Sequence, residues 1–508
     1  MNHWIIAPFL LPLMAGVLML LVARAGLAWQ RAVGFASAVA LLAVSVLLLI
    51  QAADGSYGVY VLGNWPPPFG IVLVLDRLSA LMVLLTAVVA VFTLWYALRG
   101  TDALGRNFHP LFQLQLAGLN GAFLTGDLFN LFVFFEILLI ASYGLLLHGG
   151  GASRTRAGLH YVVLNLAGSA LFLIAVGILY GLTGTLNMAD LAVRVAQAPA
   201  EQAGLLRTGA LLLFVVFALK AALLPLYFWL PAAYSNTTAP VAALFAIMTK
   251  VGVYAIVRVY TLIFGEGAGG AANVLTDWLL PLGLATLMLG MIGALAARGL
   301  RRLVAYMVVV SVGMLLTAAG LFTTLSMAAA LVYLVHTTLV TAAMFLLVDV
   351  IARQRGDDRL APLPELRQPL LLGGLFFIGA VALVGMPPLS GFLGKFMILH
   401  AARGEAQVGW VWAVVLLSSL LGLVALSRAG SVVFWKTRGS VEAPRAGWGA
   451  LLPVIALLAA SPLLVVFGGP VTAYAQATAA QLSAPGHYVH SVLRTDAVVG
   501  DVPREVTP

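Results

Sequence analysis

The chain has 508 residues, no cysteine and a net charge of +9; hydrophobic residues make up 62% of it and charged residues 9%. A soluble domain has roughly 45–50% apolar and about 25% charged residues. The composition therefore excludes a soluble enzyme with a polar shell, and the high hydrophobicity excludes a disordered chain. Without cysteine, disulfides, thiolate metal sites and cysteine nucleophiles are impossible. We predict an all-α polytopic membrane protein. The positive charge does not indicate nucleic-acid binding, because the basic residues are spread over short connections between apolar runs.

Fourteen apolar runs, most of about 20 residues, follow one another along the chain. We predict a helix for each, because backbone in lipid must satisfy its own hydrogen bonds, and barrel strands would be shorter and alternating. Two runs are interrupted by proline: Pro225 lies inside the seventh, and Pro387 and Pro388 lie inside the twelfth. The predicted spans are residues 4–23, 31–50, 70–98, 108–125, 128–147, 160–182, 208–230, 238–264, 276–297, 303–323, 326–352, 370–402, 408–433 and 449–468.

The basic residues of the connections predict the orientation. Alternate connections divide into one side with seventeen Lys and Arg residues and another side with five. Because cytoplasmic connections carry the excess of basic residues, we predict that both termini lie on the outer side of a bacterial cell membrane. We divide the chain into N-terminal spans (1–100), two five-span repeats (101–265 and 270–435), a last span (445–470) and a polar external tail (471–508).

Three of the four lysines, Lys220, Lys250 and Lys395, lie inside apolar spans, although arginine is the usual base of this chain. An ionisable residue at the bilayer centre costs roughly 2.5–3.5 kcal/mol on insertion scales, and such a position is a functional candidate by default. Lysine can release its proton when it is desolvated, whereas arginine stays charged. We therefore predict that the three lysines belong to a proton relay. The alternative is that they pair for packing or extend to the interface.

One carboxylate accompanies the lysines. Glu136 lies in the middle of the fifth span among Phe132, Phe134 and Phe135, where an isolated glutamate would be protonated or paired with a cation. We predict that a lysine of a neighbouring helix is its partner. Such a pair can hold the proton of the lysine when it is closed and release it when it opens. A static buried ion pair is the alternative.

The prolines indicate where helices are interrupted. Pro225 leaves the carbonyl of Ala221 without its helical hydrogen bond beside Lys220, and the proline pair of the twelfth span does the same for the carbonyls of Leu383 and Val384. Broken helices in matching positions of two halves indicate a transport path. The broken spans are five apart, which predicts two five-span repeats, spans 4–8 and 9–13. An odd number of spans in each repeat makes the second copy inverted.

Other polar residues are further candidates. His336 lies near the middle of the eleventh span among threonines; it can relay protons near neutral pH, or it can be a core histidine bonded to a carbonyl. Asp127 is expected to cap the fifth helix. Asp76 and Arg77 are expected to pair near the outer interface, and Arg258 is expected to extend toward it. We find no metal-ligand cluster, phosphate loop or nucleotide, haem or iron–sulfur motif, so neither a cofactor nor a metal is expected.

Four segments in chain order resemble a family shared by Mrp-type cation/proton antiporters and the antiporter-like proton-pumping subunits of respiratory complex I. Gly126–Glu136 resembles the glutamate motif of the family's fifth helix, and Leu219–Pro231 resembles its broken seventh helix. Met248–Tyr254 resembles the lysine motif of the eighth helix, and Gly385–Lys395 resembles the broken twelfth helix. The resemblance covers about residues 70–435. The amino-acid sequences of the last two segments are most similar to those of the D-type subunits of the multisubunit Mrp (Mnh, Pha) antiporters.

The resemblance implies a proton-relay role for Glu136, Lys220, Lys250 and Lys395, and His336 matches a family position less closely. It implies a secondary transporter subunit, not an enzyme, that assembles with other subunits of a hetero-oligomeric antiporter and exchanges protons for Na⁺ or K⁺. The alternative is a proton-pumping subunit of complex I or of a membrane-bound hydrogenase. A scaffold that moves no ions would have no reason to keep three buried lysines.

The charges of the span centres also suggest which ion this chain carries. A Na⁺ or K⁺ site usually needs several oxygen ligands, often including a carboxylate. The span centres hold one carboxylate and three lysines, and lysines repel a bare cation. We therefore expect this chain to carry protons, and the metal cation to cross through another subunit or at the border with it.

Overall fold

The computed structural model describes residues 2–22, 24, 26–439 and 443–495. The chain is mostly helical, at 78%. Within the described ranges, eleven helical segments are long and apolar enough to cross a membrane, and Ala7–Leu21 and Pro369–Val384 are shorter apolar helices. The composition therefore predicted the architecture correctly at the level of a helical multi-pass membrane protein.

Twenty α-helices and one two-stranded antiparallel sheet make up the described fold. The strands are β1 (Gly58–Val61) and β2 (Val72–Leu75). The helices are α1 (Ala7–Leu21), α2 (Leu27–Ala52), α3 (Arg77–Ala97), α4 (Phe108–Leu124), α5 (Leu128–Leu147), α6 (Ala152–Thr183), α7 (Met188–Ala196), α8 (Ala203–Ala221), α9 (Trp229–Asn236), α10 (Ala239–Phe245), α11 (Met248–Leu262), α12 (Leu279–Ala296), α13 (Leu300–Ala319), α14 (Thr324–Arg355), α15 (Pro369–Val384), α16 (Ser390–Ala401), α17 (Val408–Phe434), α18 (Trp448–Val466), α19 (Gly468–Leu482) and α20 (Pro485–Leu493).

The start of the third predicted span is a strand, so its predicted beginning at residue 70 is wrong. Strand β2 pairs with β1 in the register Gly58 to Leu75. Asp76 then ends the strand and begins α3, because its side chain accepts a hydrogen bond from the backbone N–H of Ser79 at 2.8 Å. The apolar residues of β2 are buried in the protein, and hydropathy alone does not separate such a strand from the start of a span.

Both predicted helix breaks are confirmed. The seventh span stops at Ala221 and resumes as a helix at Trp229, with Ala222 in the left-handed region at φ 62°. The twelfth span stops at Val384 and resumes at Ser390. A turn that was not predicted divides the eighth span into α10 and α11 at residues 246–247, although Ala246 and Ile247 keep right-handed helical φ and ψ. Each of the three buried lysines therefore lies near a break or a turn of its own span.

The tail predicted from residue 471 begins as packed helices. Helix α19 packs against α3 and α14, and α20 packs against α7. The Tyr474 hydroxyl donates a hydrogen bond to the carbonyl of Arg77 at 2.8 Å. The end of the predicted tail, residues 496–508, lies outside the described residues. The described part of the tail is therefore a cover over the ends of several helices.

Candidate functional site

Glu136 and Lys220 are linked through helix α6. The carboxylate of Glu136, on α5, accepts a hydrogen bond from the hydroxyl of Ser169. Lys220, in the last turn of α8, donates from Nζ to Oδ1 of Asn165 at 3.2 Å. The Ser169 hydroxyl lies 3.1 Å from the carbonyl oxygen of Asn165, one turn away on the same helix. No ion pair within 4.0 Å joins Glu136 to Lys220 among the described side chains. In place of the expected direct pair, Glu136 and Lys220 are linked through two neighbouring side chains of α6, Ser169 and Asn165, which together form the bridge.

A small cavity borders Lys220 and Asn165. Its volume is about 10 Å³, close to the space that one water molecule requires. Asn165, Tyr161 and Lys220 line it together with Met248 and Val251, which flank Lys250 on α11. The space between the first two lysines is thus narrow and has polar groups in its wall.

Lys250 is completely buried, with 0% exposure. Its Nζ donates to the hydroxyl of Ser311 on α13 at 3.0 Å and lies 3.4 Å from the hydroxyl of Thr249. No carboxylate forms an ion pair with it in the part of the chain that the structure describes. A buried amine that bonds to hydroxyls alone can give up its proton without leaving a charge unpaired.

Lys395 contacts the break of its own span. Its Nζ donates to the carbonyl of Val384 at 2.7 Å and to the hydroxyl of Ser419 on α17 at 2.9 Å. The carbonyl of Val384 is one of the two that the sequence predicted to be released by the proline pair. The break therefore supplies an oxygen ligand to the lysine, as a non-helical segment at this depth requires.

His336 contacts the other side of the same break. Its Nδ1 lies 2.7 Å from the hydroxyl of Ser390, the first residue of α16. That hydroxyl lies 2.8 Å from the hydroxyl of Ser461 on α18. The imidazole is buried, and its Nε2 lies 2.9 Å from the place that a Cβ on Gly391 would occupy. Lys395 and His336 are thus gathered around one interruption, whereas no hydrogen bond of the described residues joins them to Lys250.

Asp127 caps α5, as the sequence predicted. Its Oδ1 accepts a hydrogen bond from the backbone N–H of Asn130 at 2.8 Å. Asp127 lies just outside the helix that it caps, and burial raises its pKa to about 6.

The expectations for Asp76, Arg77 and Arg258 were wrong. Arg258 does not extend to the interface; it is 4% exposed and its Nη1 lies 2.6 Å from Oδ2 of Asp76. Arg77 instead donates to the carbonyl of Ala53 at 2.9 Å. Burial tends to raise the pKa of the Asp76 carboxyl, but the neighbouring Arg258 charge holds this pKa below its usual range. No sequence pattern indicated this pair, because 182 positions separate its members.

The side chains that contact Glu136, the three buried lysines and His336 were not predicted from the sequence. They are serines and an asparagine inside helices, where such residues often bond only to their own backbone, so residue type alone did not single them out. A further polar cluster also went unnoticed: Asp349 on α14 accepts hydrogen bonds from Tyr96, Arg301 and Arg353. No group of three or more His, Asp or Glu side chains is placed to hold a metal ion within the residues that the structure covers.

Broken helices that carry buried, hydrogen-bonded amines define a helical membrane protein of the ion-translocating class. Residues 125–422 match the family model described as NADH:quinone oxidoreductase/Mrp antiporter, transmembrane, and the chain belongs to this family.

It is 43% identical to the D-type subunit of a probable K⁺/H⁺ antiporter from Rhizobium meliloti, over 97% of this chain and 98% of the relative. It is 39% identical to the D-type subunit of the Na⁺/H⁺ antiporter from Alkalihalophilus pseudofirmus, over 97% of this chain and all of the relative. A chain of the Mrp complex from Dietzia superposes with a TM-score of 0.88 at 29% identity, over 97% of this chain and all of that one. The resemblance noted in the sequence is therefore confirmed.

Proposed function

We propose that this chain is the D-type subunit of a multisubunit Na⁺/H⁺ or K⁺/H⁺ antiporter and that it carries the protons of the exchange. The observation that carries the proposal is the bridge from Glu136 through Ser169 and Asn165 to Lys220. It connects one carboxylate to one amine without a direct ion pair. Such a pair can close when the bridging groups turn away, and the closed and open forms hold the lysine proton with different strength.

The relay proceeds by transfer between the lysines. With Glu136 held by Ser169, the Lys220 amine has neutral oxygen partners and can pass its proton across the adjoining cavity toward Lys250. Lys250 and Lys395 bond to hydroxyls and a carbonyl. Either amine can therefore be neutral or charged without leaving a buried carboxylate unpaired. His336 assists at the last step through Ser390. Each transfer moves one proton from one amine to the next, and the chain returns to its starting state when Lys395 has released a proton and the neutral amines have been protonated again.

The finer architecture belongs to the same proposal. We assign fourteen spans, with α8 and α9, α10 and α11, and α15 and α16 each forming one span. The repeats are residues 101–265 and 270–435, inverted relative to each other, and both termini lie outside. Hydrogen bonds between connections support the alternation. Arg31, near the start of α2 and just after the first connection, bonds to Asp102 of the third connection. Arg207, which follows the sixth span, bonds to Gly270, which follows the eighth.

The metal cation is assigned to a path outside this chain. Two relatives of comparable identity are named for different cations, K⁺ and Na⁺, which fits a chain that does not choose the cation. Lys250 and Lys395 would repel a cation near the bilayer centre. The isolated chain, reconstituted alone, should therefore show no cation-dependent proton flux. Such flux in liposomes that contain this chain alone would contradict the assignment. The redox-driven pump is the weaker alternative, because both of these relatives are named as antiporter subunits.

The proposal is tested by replacing Glu136 in the assembled complex. Glu136→Ala should abolish Na⁺- or K⁺-dependent collapse of ΔpH in everted vesicles, and Glu136→Asp should keep partial activity because the charge remains with a shorter reach. Co-purification of the partner subunits verifies assembly. Full exchange by an assembled Glu136→Ala complex would contradict the switch.

A further inference from the structure

A stripe of polar residues runs along helix α11 from Lys250 to its outer end. Tyr254, Arg258 and Thr261 follow Lys250 by four, eight and eleven positions, which places all four on one face of the helix. At 1.5 Å per residue, the stripe is about 16 Å long. The other long side chains of this helix are mainly aliphatic, so the four residues form a polar stripe on a mostly apolar, buried helix.

Two residues of the stripe, Tyr254 and Arg258, contact each other. The Tyr254 hydroxyl donates to the carbonyl of Phe123 at 2.7 Å and accepts from Nε of Arg258 at 3.3 Å. Arg258 in turn pairs with Asp76 at the start of α3. The pair is buried, although proposed transport through Glu136 and the lysines makes no use of it.

Two cavities lie beyond the pair. The inner one has a volume of about 10 Å³ and includes Asp76, Arg258 and Thr261 in its wall. The outer one has a volume of about 680 Å³ and shares Thr261 with the first. Polar residues from several connections line the outer cavity; they are Gln197, Glu266, Asn273, Thr324 and Ser483. The layer around Thr261 thus separates a large cavity from the Asp76–Arg258 pair.

The C-terminal helices cover the inner cavity. The ring of Tyr488, on α20, lies 5.5 Å from the Arg258 guanidinium. Gln481, on α19, accepts from the backbone N–H of Arg77 at 3.1 Å and donates to the carbonyl of Gly55 at 3.0 Å. Helix α19 is therefore hydrogen-bonded to the start of α3 and to the connection before it.

We infer that the outer cavity is the access route by which protons from the outer side reach Lys250, and that the Asp76–Arg258 pair closes its inner end. The inference rests on the proposed function and on the proposed orientation. A proton moves between waters of the cavity, passes the Tyr254 hydroxyl and binds to the neutral amine of Lys250. The Asp76–Arg258 ion pair occupies the inner end of the route, so a metal cation would have to separate this buried pair, which is costly, whereas a proton passes between hydrogen-bonded groups.

The absence of cysteine from the chain makes the route directly testable. We would introduce Thr261→Cys into the complete complex and treat intact cells with a membrane-impermeant cationic methanethiosulfonate. Everted vesicles prepared from these cells are then assayed for exchange. We expect labelling from outside and a fall in exchange of about tenfold, because a bulky fixed cation beside Arg258 raises the barrier for a proton. Ser483→Cys, at the outer wall, is the second variant in case Thr261→Cys does not assemble.

Ser56→Cys is the matched control. Ser56 is exposed in the connection that precedes β1 and is absent from the walls of both cavities. It should be labelled from outside without any change in exchange. The native chain, treated in the same way, corrects for cysteines of partner subunits. Failure to label Thr261→Cys from outside, or full exchange after complete labelling, would overturn the route.

A charge-removal experiment separates this inference from the proposed function. Arg258→Gln combined with Asp76→Asn removes both charges and keeps the packing, so the complex should assemble. It should admit Na⁺ or K⁺ to the route and make the vesicles leaky to that cation, whereas Glu136→Ala should stop exchange without a leak. An unchanged cation leak in the double variant would refute the closure by Arg258. Normal exchange by Glu136→Ala would refute the proposed function instead.

Discussion

Removal of the Ser169 hydroxyl is the sharpest test of the bridge between Glu136 and Lys220. Ser169→Ala leaves the backbone of α6 and the packing nearly unchanged, but it takes away the donor that holds the Glu136 carboxylate. The carbonyl of Asn165 cannot replace that donor, because it is itself an acceptor. The carboxylate then has no fixed position relative to Lys220.

The size of the effect follows from the kind of hydrogen bond that is lost. A hydrogen bond to a charged group contributes about 1.5–3 kcal/mol. If this bond positions Glu136 during proton transfer, its full loss slows exchange by roughly 10- to 100-fold, at about 1.4 kcal/mol for each factor of ten. Ser169→Thr keeps a hydroxyl at this position and should restore a large part of the rate.

The rate is measured as cation-induced collapse of ΔpH in everted vesicles, at matched amounts of assembled complex. Ser45→Ala is the control, since the Ser45 hydroxyl is equally buried but bonds to the carbonyl of Leu41 in its own helix. It should leave exchange within the error of the assay. A Ser169→Ala complex that exchanges at the native rate would show that the bridge does not take part in transport.

Three further outcomes are expected. Lys220→Arg should lose nearly as much exchange in everted vesicles as Lys220→Ala, because arginine keeps the charge but does not release the proton; a native rate would show that charge alone suffices. Gly391→Ala should disrupt the twelfth span, since its Cβ would lie 2.0 Å from the carbonyl oxygen of Ala382. Gly374→Ala, which meets nothing within 4 Å, should be tolerated, and thermal melting of the purified complexes compares the two. Asp127→Asn should raise the melting temperature at pH 8 but not at pH 4. The Asp127 pKa is raised to about 6 in the folded chain, so stability falls as pH rises from about 4 to about 6, by up to about 3 kcal/mol; a gain of equal size at both pH values would contradict this sign.

The helical membrane architecture and the two proline breaks could be predicted because they depend on local properties of the chain. Apolar runs must be helical in lipid, and a proline removes a specific hydrogen bond, so the interruption at Val384 was foreseen together with its free carbonyl. The turn before Lys250 was missed, because no proline precedes it within α10 except Pro240 near the start of that helix. Helix α6 begins at Ala152 rather than at residue 160, since hydropathy reports depth in the bilayer and not the length of the helix.

The ionisable residues of the spans could be identified from the sequence, whereas the partners that they contact could not. A lysine in an apolar run is conspicuous because of its insertion cost. Ser169 and Ser311 cost little inside a helix, so their contacts with Glu136 and Lys250 emerge only when the helices are packed. The Asp76–Arg258 pair depends on a distant contact in the same way. The charge of each residue was visible, but the neighbour that compensates it was not.

The two longest helices have a mechanical consequence. Helices α6 and α14 each contain 32 residues, which corresponds to about 48 Å, whereas the hydrocarbon core is about 30 Å thick. Each is continuous and packs against both halves of an interrupted span: α6 against α8 and α9, and α14 against α15 and α16. Because each is a continuous helix, it resists bending, so deformation concentrates in the short non-helical segments beside it. A helix that is longer than the hydrocarbon core responds to a thinner bilayer by tilting. Lipid chain length should therefore alter the spacing between α6 and α8, and with it the speed of the exchange.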